Sequence, residues 1–244
     1  MKSIRQFYEY FSKIELMLWV ASVCAIVISF CIFDRSNFGT LIASLIGVTA
    51  IIFGAKGNPI AQVLMIIFSI IYGYISFHFA YYGEMITYLG MTMPMAIVAL
   101  ISWIRHPFAG NKSEVEVNKI NKKETIFMFI ASFFVTVIFY FILKYFHTAN
   151  IIPSTLSITT SFIAVFLTFK RSPYFSIAYA LNDIVLVILW VLATMENVHY
   201  ASMAVCFVAF LFNDIYAFIS WKKIEKRQAA EILQKVENRQ ATAV

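Results

Sequence analysis

Ala99-Leu100-Ile101-Ser102-Trp103, just before Ile104-Arg105, returns as Ala217-Phe218-Ile219-Ser220-Trp221, just before Lys222-Lys223. Each pentapeptide closes a long apolar run. Lys56-Gly57-Asn58-Pro59 opens another, and about 114 positions later Lys170-Arg171-Ser172-Pro173 does the same. Two copies of a three-helix unit explain both matches. Internal duplication with a site between the copies is a common build among secondary transporters.

The composition fits a chain that lives in lipid. Mean hydropathy is +0.80, and only 13% of the 244 residues are charged, where a soluble domain is nearer about a quarter. A polytopic helical membrane protein is expected. A polar stretch bearing Lys2, Arg5, Glu9 and Lys13 precedes the first apolar run, and no small-residue cleavage site follows it. That run is therefore read as a retained span, not a signal peptide. Cys24, Cys31 and Cys206 lie in or near apolar runs without metal-ligand spacing, and are read as buried free thiols.

A helical span needs about 20 mostly apolar residues. Eight runs qualify or nearly do: 15–33, 38–54, 59–80, 85–104, 124–146, 154–169, 173–195 and 199–221. Charge tests the count, because cytoplasmic loops collect Lys and Arg. With eight spans and the N-terminus inside, only Arg35 and Lys144 of the 19 Lys and Arg residues fall in outer loops. The net charge of +6 is thus an orientation signal, and its placement argues against a nucleic-acid partner. Both termini are expected in the cytoplasm. The second and sixth runs then start on the same side, so the copies are parallel. The expected fold is all-α and integral to the membrane: an extra N-terminal helix (15–33), repeat one (38–104), a linker helix (124–147), repeat two (154–221) and a cytoplasmic tail (222–244). The tail either prolongs the eighth helix or forms a solvated, partly frayed one.

Two Asn-Asp dipeptides sit inside apolar runs, Asn182-Asp183 in the seventh and Asn213-Asp214 in the eighth. A carboxylate at the bilayer centre costs at least about 2.5–3.5 kcal/mol on the insertion scale, so such residues face a cavity or a partner. Helical spacing puts Tyr179 and Trp190 on the face of Asp183, Tyr216 beside Asn213, and Trp221 two turns beyond Asp214. Amides and carboxylates pair with a carboxamide or ribose hydroxyls, and aromatic faces stack on a planar, preferably cationic ring. The competing reading makes each dipeptide a hydrogen-bonded tie between helices, and a proton-coupling role for Asp183 or Asp214 is a third. Repeat one has Phe68, Ser69, Met95 and Ala96 at the matching positions, so polar recognition is expected from repeat two. The third run adds Gln62, Ser69, Tyr72 and Tyr74, and the fourth Tyr88, Thr92 and Pro94, the last able to kink its helix. Gln62 reads equally as an interfacial amide. His78, Glu84, His147, Glu196 and His199 read as outer loop residues with a weak gating option, and Trp103 and Trp221 as an interfacial aromatic belt.

There is no P-loop, no His/Cys metal set and no nucleophile elbow. Neither enzymatic activity nor a cofactor is expected.

The stretch Tyr179-Ala180-Leu181-Asn182-Asp183-Ile184-Val185-Leu186-Val187-Ile188-Leu189-Trp190, the second Asn213-Asp214 with Tyr216, and the duplicated helix endings resemble the PnuC family of bacterial vitamin transporters over nearly the whole chain. The resemblance implies a 3+1+3 fold shared with the SWEET sugar transporters, a homotrimer in the bacterial inner membrane, and facilitated diffusion of nicotinamide riboside for NAD biosynthesis. A cytoplasmic ribosylnicotinamide kinase would trap the product by phosphorylation. It implies a substrate site at Asn182 and Asn213, assisted by Asp183, Gln62, Tyr88, Tyr72 and Tyr216, with Trp190 and Tyr179 against the ring and at most one carboxylate beside a cationic pyridinium. Thiamine, riboflavin and deoxynucleosides are the alternatives within the class, and a receptor or assembly subunit that binds without translocating is the rival outside it. Two positions depart from the family pattern. Phe175 and Ala178 stand where a Trp-x-x-Trp pair is usual, and Ala96-Ile97-Val98-Ala99-Leu100 replaces an Asn-x-Tyr-Gly-Trp ending.

Overall fold

The computed structural model describes residues 10–78, 82–148 and 150–241. Lys2, Arg5, Glu9 and the expected end of the third helix at Ala80 lie outside them, as does the His78 side chain. Among the described residues, eight helices are long and apolar enough to cross a membrane: α1 (Lys13–Phe33), α2 (Phe38–Ala55), α3 (Ile60–His78), α4 (Tyr82–Arg105), α5 (Lys122–Tyr145), α6 (Ile151–Phe169), α7 (Phe175–Glu196) and α8 (Ala201–Ala241).

Local chemistry sets the boundaries. Ser12 and Glu15 form a capping box at the start of α1, and Asn121 with Glu124 forms another at α5, satisfying amides that no helical turn can reach. Gly57 (φ 67°) ends α2 and Arg171 (φ 56°) ends α6. These are the second residues of the two matched tetrapeptides, so the sequence repeat marks a pair of left-handed corners, each followed two residues later by a proline. Pro94 has no N–H to give to the preceding turn, and α4 widens into a π turn over Tyr88–Thr92 before resuming at Met93.

Helix contacts run α2–α3–α4–α6–α7–α8 and back to α2, closing a ring. α1 packs outside it against α8 and α2, and α5 outside it against α6. α5 is accordingly the most exposed of the spans, and α2, α7 and α8 are the most buried. Glu15, 3% exposed, fastens α1 to the ring by an ion pair with Lys56 (3.3 Å) and by accepting from the Tyr216 hydroxyl (3.2 Å). The start of α1 and the tail of α8 share one end of the bundle, called here the tail end.

Two features of the tail end differ from the sequence expectation. The polar loop after α4 holds a hairpin, β1 (Pro107–Phe108) with β2 (Asn111–Val115), turning on Ala109-Gly110. The tail of α8 is not solvated throughout. Gln228, 3% exposed, donates to the Val115 carbonyl (3.0 Å) and Glu114 (2.7 Å) and accepts from the Val117 amide (2.8 Å), while Arg227 pairs with Glu114. Docking on the hairpin gives this part of the helix the tertiary partner that composition alone did not supply.

Candidate functional site

A cavity of about 120 Å³ lies inside the ring, walled by α2, α3, α4, α6, α7 and α8. Its walls are chemically unequal. From α3 and α4 come Phe68, Tyr72 and Tyr88, an aromatic cluster whose ring centroids are 4.4 Å (Tyr72–Tyr88) and 5.6 Å (Phe68–Tyr72) apart. From α7 come Tyr179, Asn182, Asp183 and Trp190, and from α8 Asp214. Gln62 lines the tail-end part, 6% exposed.

Asn182 is held by its oxygen. Oδ1 accepts from Thr160 (2.8 Å), Ser161 (3.1 Å) and Ser157 (3.3 Å), all on α6. With its acceptor end committed, the amide offers the cavity its Nδ2 donor. The hydroxyl-rich stretch Ser157-Ile158-Thr159-Thr160-Ser161 inside an apolar run was the sequence signal for this cradle.

Seven of the nine expected site residues therefore share one cavity: Gln62, Tyr72, Tyr88, Tyr179, Asn182, Asp183 and Trp190. Asn213 and Tyr216 do not. Asn213 is fully buried, and its Nδ2 donates to Ser22 of α1 and to the Ala209 carbonyl, both at 2.7 Å. Tyr216 reaches Glu15, also on the α1 side. Only one member of the second dipeptide lines the ring cavity, because Asn213 is committed to Ser22 and its own helix. That member is Asp214.

Asp214 and Asp183, each 4% exposed, bring their carboxyl groups together across the α7–α8 contact. Glu84, expected in an outer loop, sits in α4 and lines the same cavity, hydrogen-bonded with Tyr72. Three acidic side chains thus line the cavity. No Lys, Arg or His lines this cavity among the described residues.

Tyr72, Glu84 and Trp190 also line a second cavity of about 190 Å³ at the far end, with Asp34, Asn37, Asn197 and His199. At the tail end the cavity is closed. Phe175 forms its floor and packs on Trp221 (centroids 4.9 Å), which lies 5.5 Å from Trp103. Both indoles are fully buried, not at an interfacial belt. Trp103 of α4 donates to the Thr168 carbonyl of α6 (2.9 Å), and Trp221 of α8 to the Gly54 carbonyl of α2 (2.7 Å). Each Trp thus ties its helix to one from the other half of the sequence. Below them the loop spans both corners, Val115 N–H donating to the Gly57 carbonyl (2.9 Å) and Asn118 N–H to the Arg171 carbonyl (3.0 Å). Ala178, the second departure from the Trp-x-x-Trp pattern, packs in this tail-end core.

A family model described as the nicotinamide mononucleotide transporter matches residues 37–223. Among curated proteins, the chain is similar to the nicotinamide riboside transporter PnuC of Neisseria mucosa, at 23% identity over 230 residues that cover 92% of this chain and 85% of that protein. Among solved structures, it is similar to a crystal structure of the vitamin B3 transporter PnuC, with a TM-score of 0.77, 22% identity, and coverage of 89% of this chain and 94% of that one. At that identity the likeness concerns the fold.

Proposed function

This chain belongs to the nicotinamide mononucleotide transporter family, a family of transporters and not of enzymes, and from that premise we propose that it carries nicotinamide riboside by facilitated diffusion. The observation that carries the choice of substrate is the cavity lining. Asn182 offers a donor to the carboxamide, and Tyr72, Tyr88, Tyr179 and Trp190 offer faces to a planar ring. Gln62 and Asp183 serve the remaining polar groups. Among the described residues the acidic lining has no cationic side chain to neutralise a phosphate, which favours the riboside over the mononucleotide. Asn213 and Tyr216 act as fasteners of α1, not as ligand groups.

Transport proceeds by alternating access. Residues 38–104 and 154–221 form parallel repeats in the SWEET-like 3+1+3 arrangement, with 124–147 as linker, 15–33 as the added helix and 222–244 as the tail. The crossed bonds of Trp103 and Trp221, and the strap across Gly57 and Arg171, support this reading, because they join opposite halves at one end of the cavity. That end is the cytoplasmic gate, with both termini in the cytoplasm of a bacterium and the chain in its inner membrane. The protein works as a homotrimer, and a cytoplasmic ribosylnicotinamide kinase pulls net uptake by phosphorylating the substrate on its way to NAD.

The test is flux. Purified protein in liposomes is expected to equilibrate labelled nicotinamide riboside without ATP or an ion gradient, and to exclude the mononucleotide. Binding without flux would replace the transporter with a receptor.

A further inference from the structure

The two aspartates that meet inside the ring hydrogen-bond to each other, which takes a proton on one of them, and that bond supplies no counter-charge to the pair. Asp183 and Asp214 are each 4% exposed, and no basic side chain pairs with either among the described residues. Asp183 Oδ2 has no hydrogen-bond donor. Two like carboxyl groups held together away from water repel when ionised, and a cation placed against them offsets both the repulsion and the lost hydration.

A second observation points to the same ligand. Trp190 lies two turns beyond Asp183 on the same face of α7, 5% exposed, and its Nε1–H has no acceptor. Tyr179 lies one turn before Asp183 on that face and lines the same wall. The cavity therefore presents, in one strip, an aromatic ring, a carboxyl pair and an indole donor. A flat ring with a positive charge and an acceptor substituent matches all three.

We propose that Asp183 and Asp214 form a charge-recognition subsite that selects a heteroaromatic monocation over its uncharged counterpart. The inference rests on the riboside reading for its named ligand, since the pyridinium of nicotinamide riboside is such a cation. It goes beyond that reading by assigning Asp214, and the pairing itself, to specificity. Asp183 Oδ2 and the Asp214 carboxylate lie against the charged ring, and Trp190 Nε1 donates to an oxygen of the ligand.

Calorimetric titration of the full chain tests it with nicotinamide riboside and its 1,4-dihydro form, which has nearly the same shape and no ring charge. The wild type is expected to prefer the cation by roughly tenfold or more, as a charge-assisted contact requires. Asp183→Asn and Asp214→Asn are each expected to weaken the cation by roughly 10- to 100-fold and the neutral form by far less. Equal affinity of the wild type for both forms overturns the proposal without needing any variant to fold. So does an equal loss for both forms in the variants. If neither form binds while thiamine, another ring cation, binds and loses affinity in Asp183→Asn, the charge subsite stands and the riboside reading fails. Binding of uncharged nucleosides only, or of none of these ligands, overturns the subsite.

Discussion

Replacing Trp103 and Trp221 by Phe removes the two crossed hydrogen bonds at the tail end and leaves a small void at each fully buried site, so the bond energies set a lower bound on the effect. The Thr168 and Gly54 carbonyls then lose partners at 2.9 Å and 2.7 Å. Each is a buried neutral bond, with a net contribution of about 0.5–1.5 kcal/mol. If both bonds exist only while this end is closed, each single variant raises the open population roughly 2- to 13-fold, since about 1.4 kcal/mol is tenfold in an equilibrium. The double variant raises it further, though the rings are 5.5 Å apart and the effects need not add. The assay is the reaction rate of a cysteine at position 62, on the cavity wall, with a membrane-impermeant maleimide presented at the tail end. Cys24, Cys31 and Cys206 are replaced beforehand. The two single variants are expected to behave alike, because their bonds are the same crossing made in opposite directions. An unchanged labelling rate in the double variant would refute the gate.

Asn182→Ala removes the donor into the cavity and strands the Ser157 and Ser161 hydroxyls on α6, while Thr160 keeps its backbone acceptors, so riboside affinity is expected to fall roughly 10- to 100-fold by calorimetry with the fold retained. Gln228→Ala leaves the Val115 carbonyl and the Val117 amide without their partner. It is expected to cost about 1–3 kcal/mol locally, read as faster proteolysis in the hairpin at 107–115. Glu15→Gln weakens the tie of α1 to Lys56 and Tyr216 and is expected to lower the thermal midpoint in detergent while leaving ligand affinity within about twofold, since Glu15 does not line the cavity; the loss is that of a buried ion pair with one partly exposed partner, about 1–3 kcal/mol. Gly57→Ala forces a side chain into φ 67°, a cost of about 1 kcal/mol that should appear in the same melting curve.

The eight spans were legible in the order of the residues, and the two matched tetrapeptides marked the corners at Gly57 and Arg171. The reason is local: in lipid every backbone amide must be satisfied within its own segment, so the length and apolarity of each run settle whether it is a spanning helix. The sequence also picked out Asn182-Asp183 and Asn213-Asp214 as residues with a purpose, because polar groups in hydrocarbon need a reason to be there. It did not determine which way each helix turns. Lipid tails are as apolar as leucine, so composition does not distinguish the face that meets lipid from the face that meets protein. Helix packing turns Asp214 into the ring and Asn213 toward Ser22, brings Glu84 to the cavity, and buries Trp103 and Trp221 across from each other. Those outcomes depend on contacts between different helices, some of them far apart in the chain, as Trp221 and Gly54 are, and packing of helices, not local propensity, fixes such contacts.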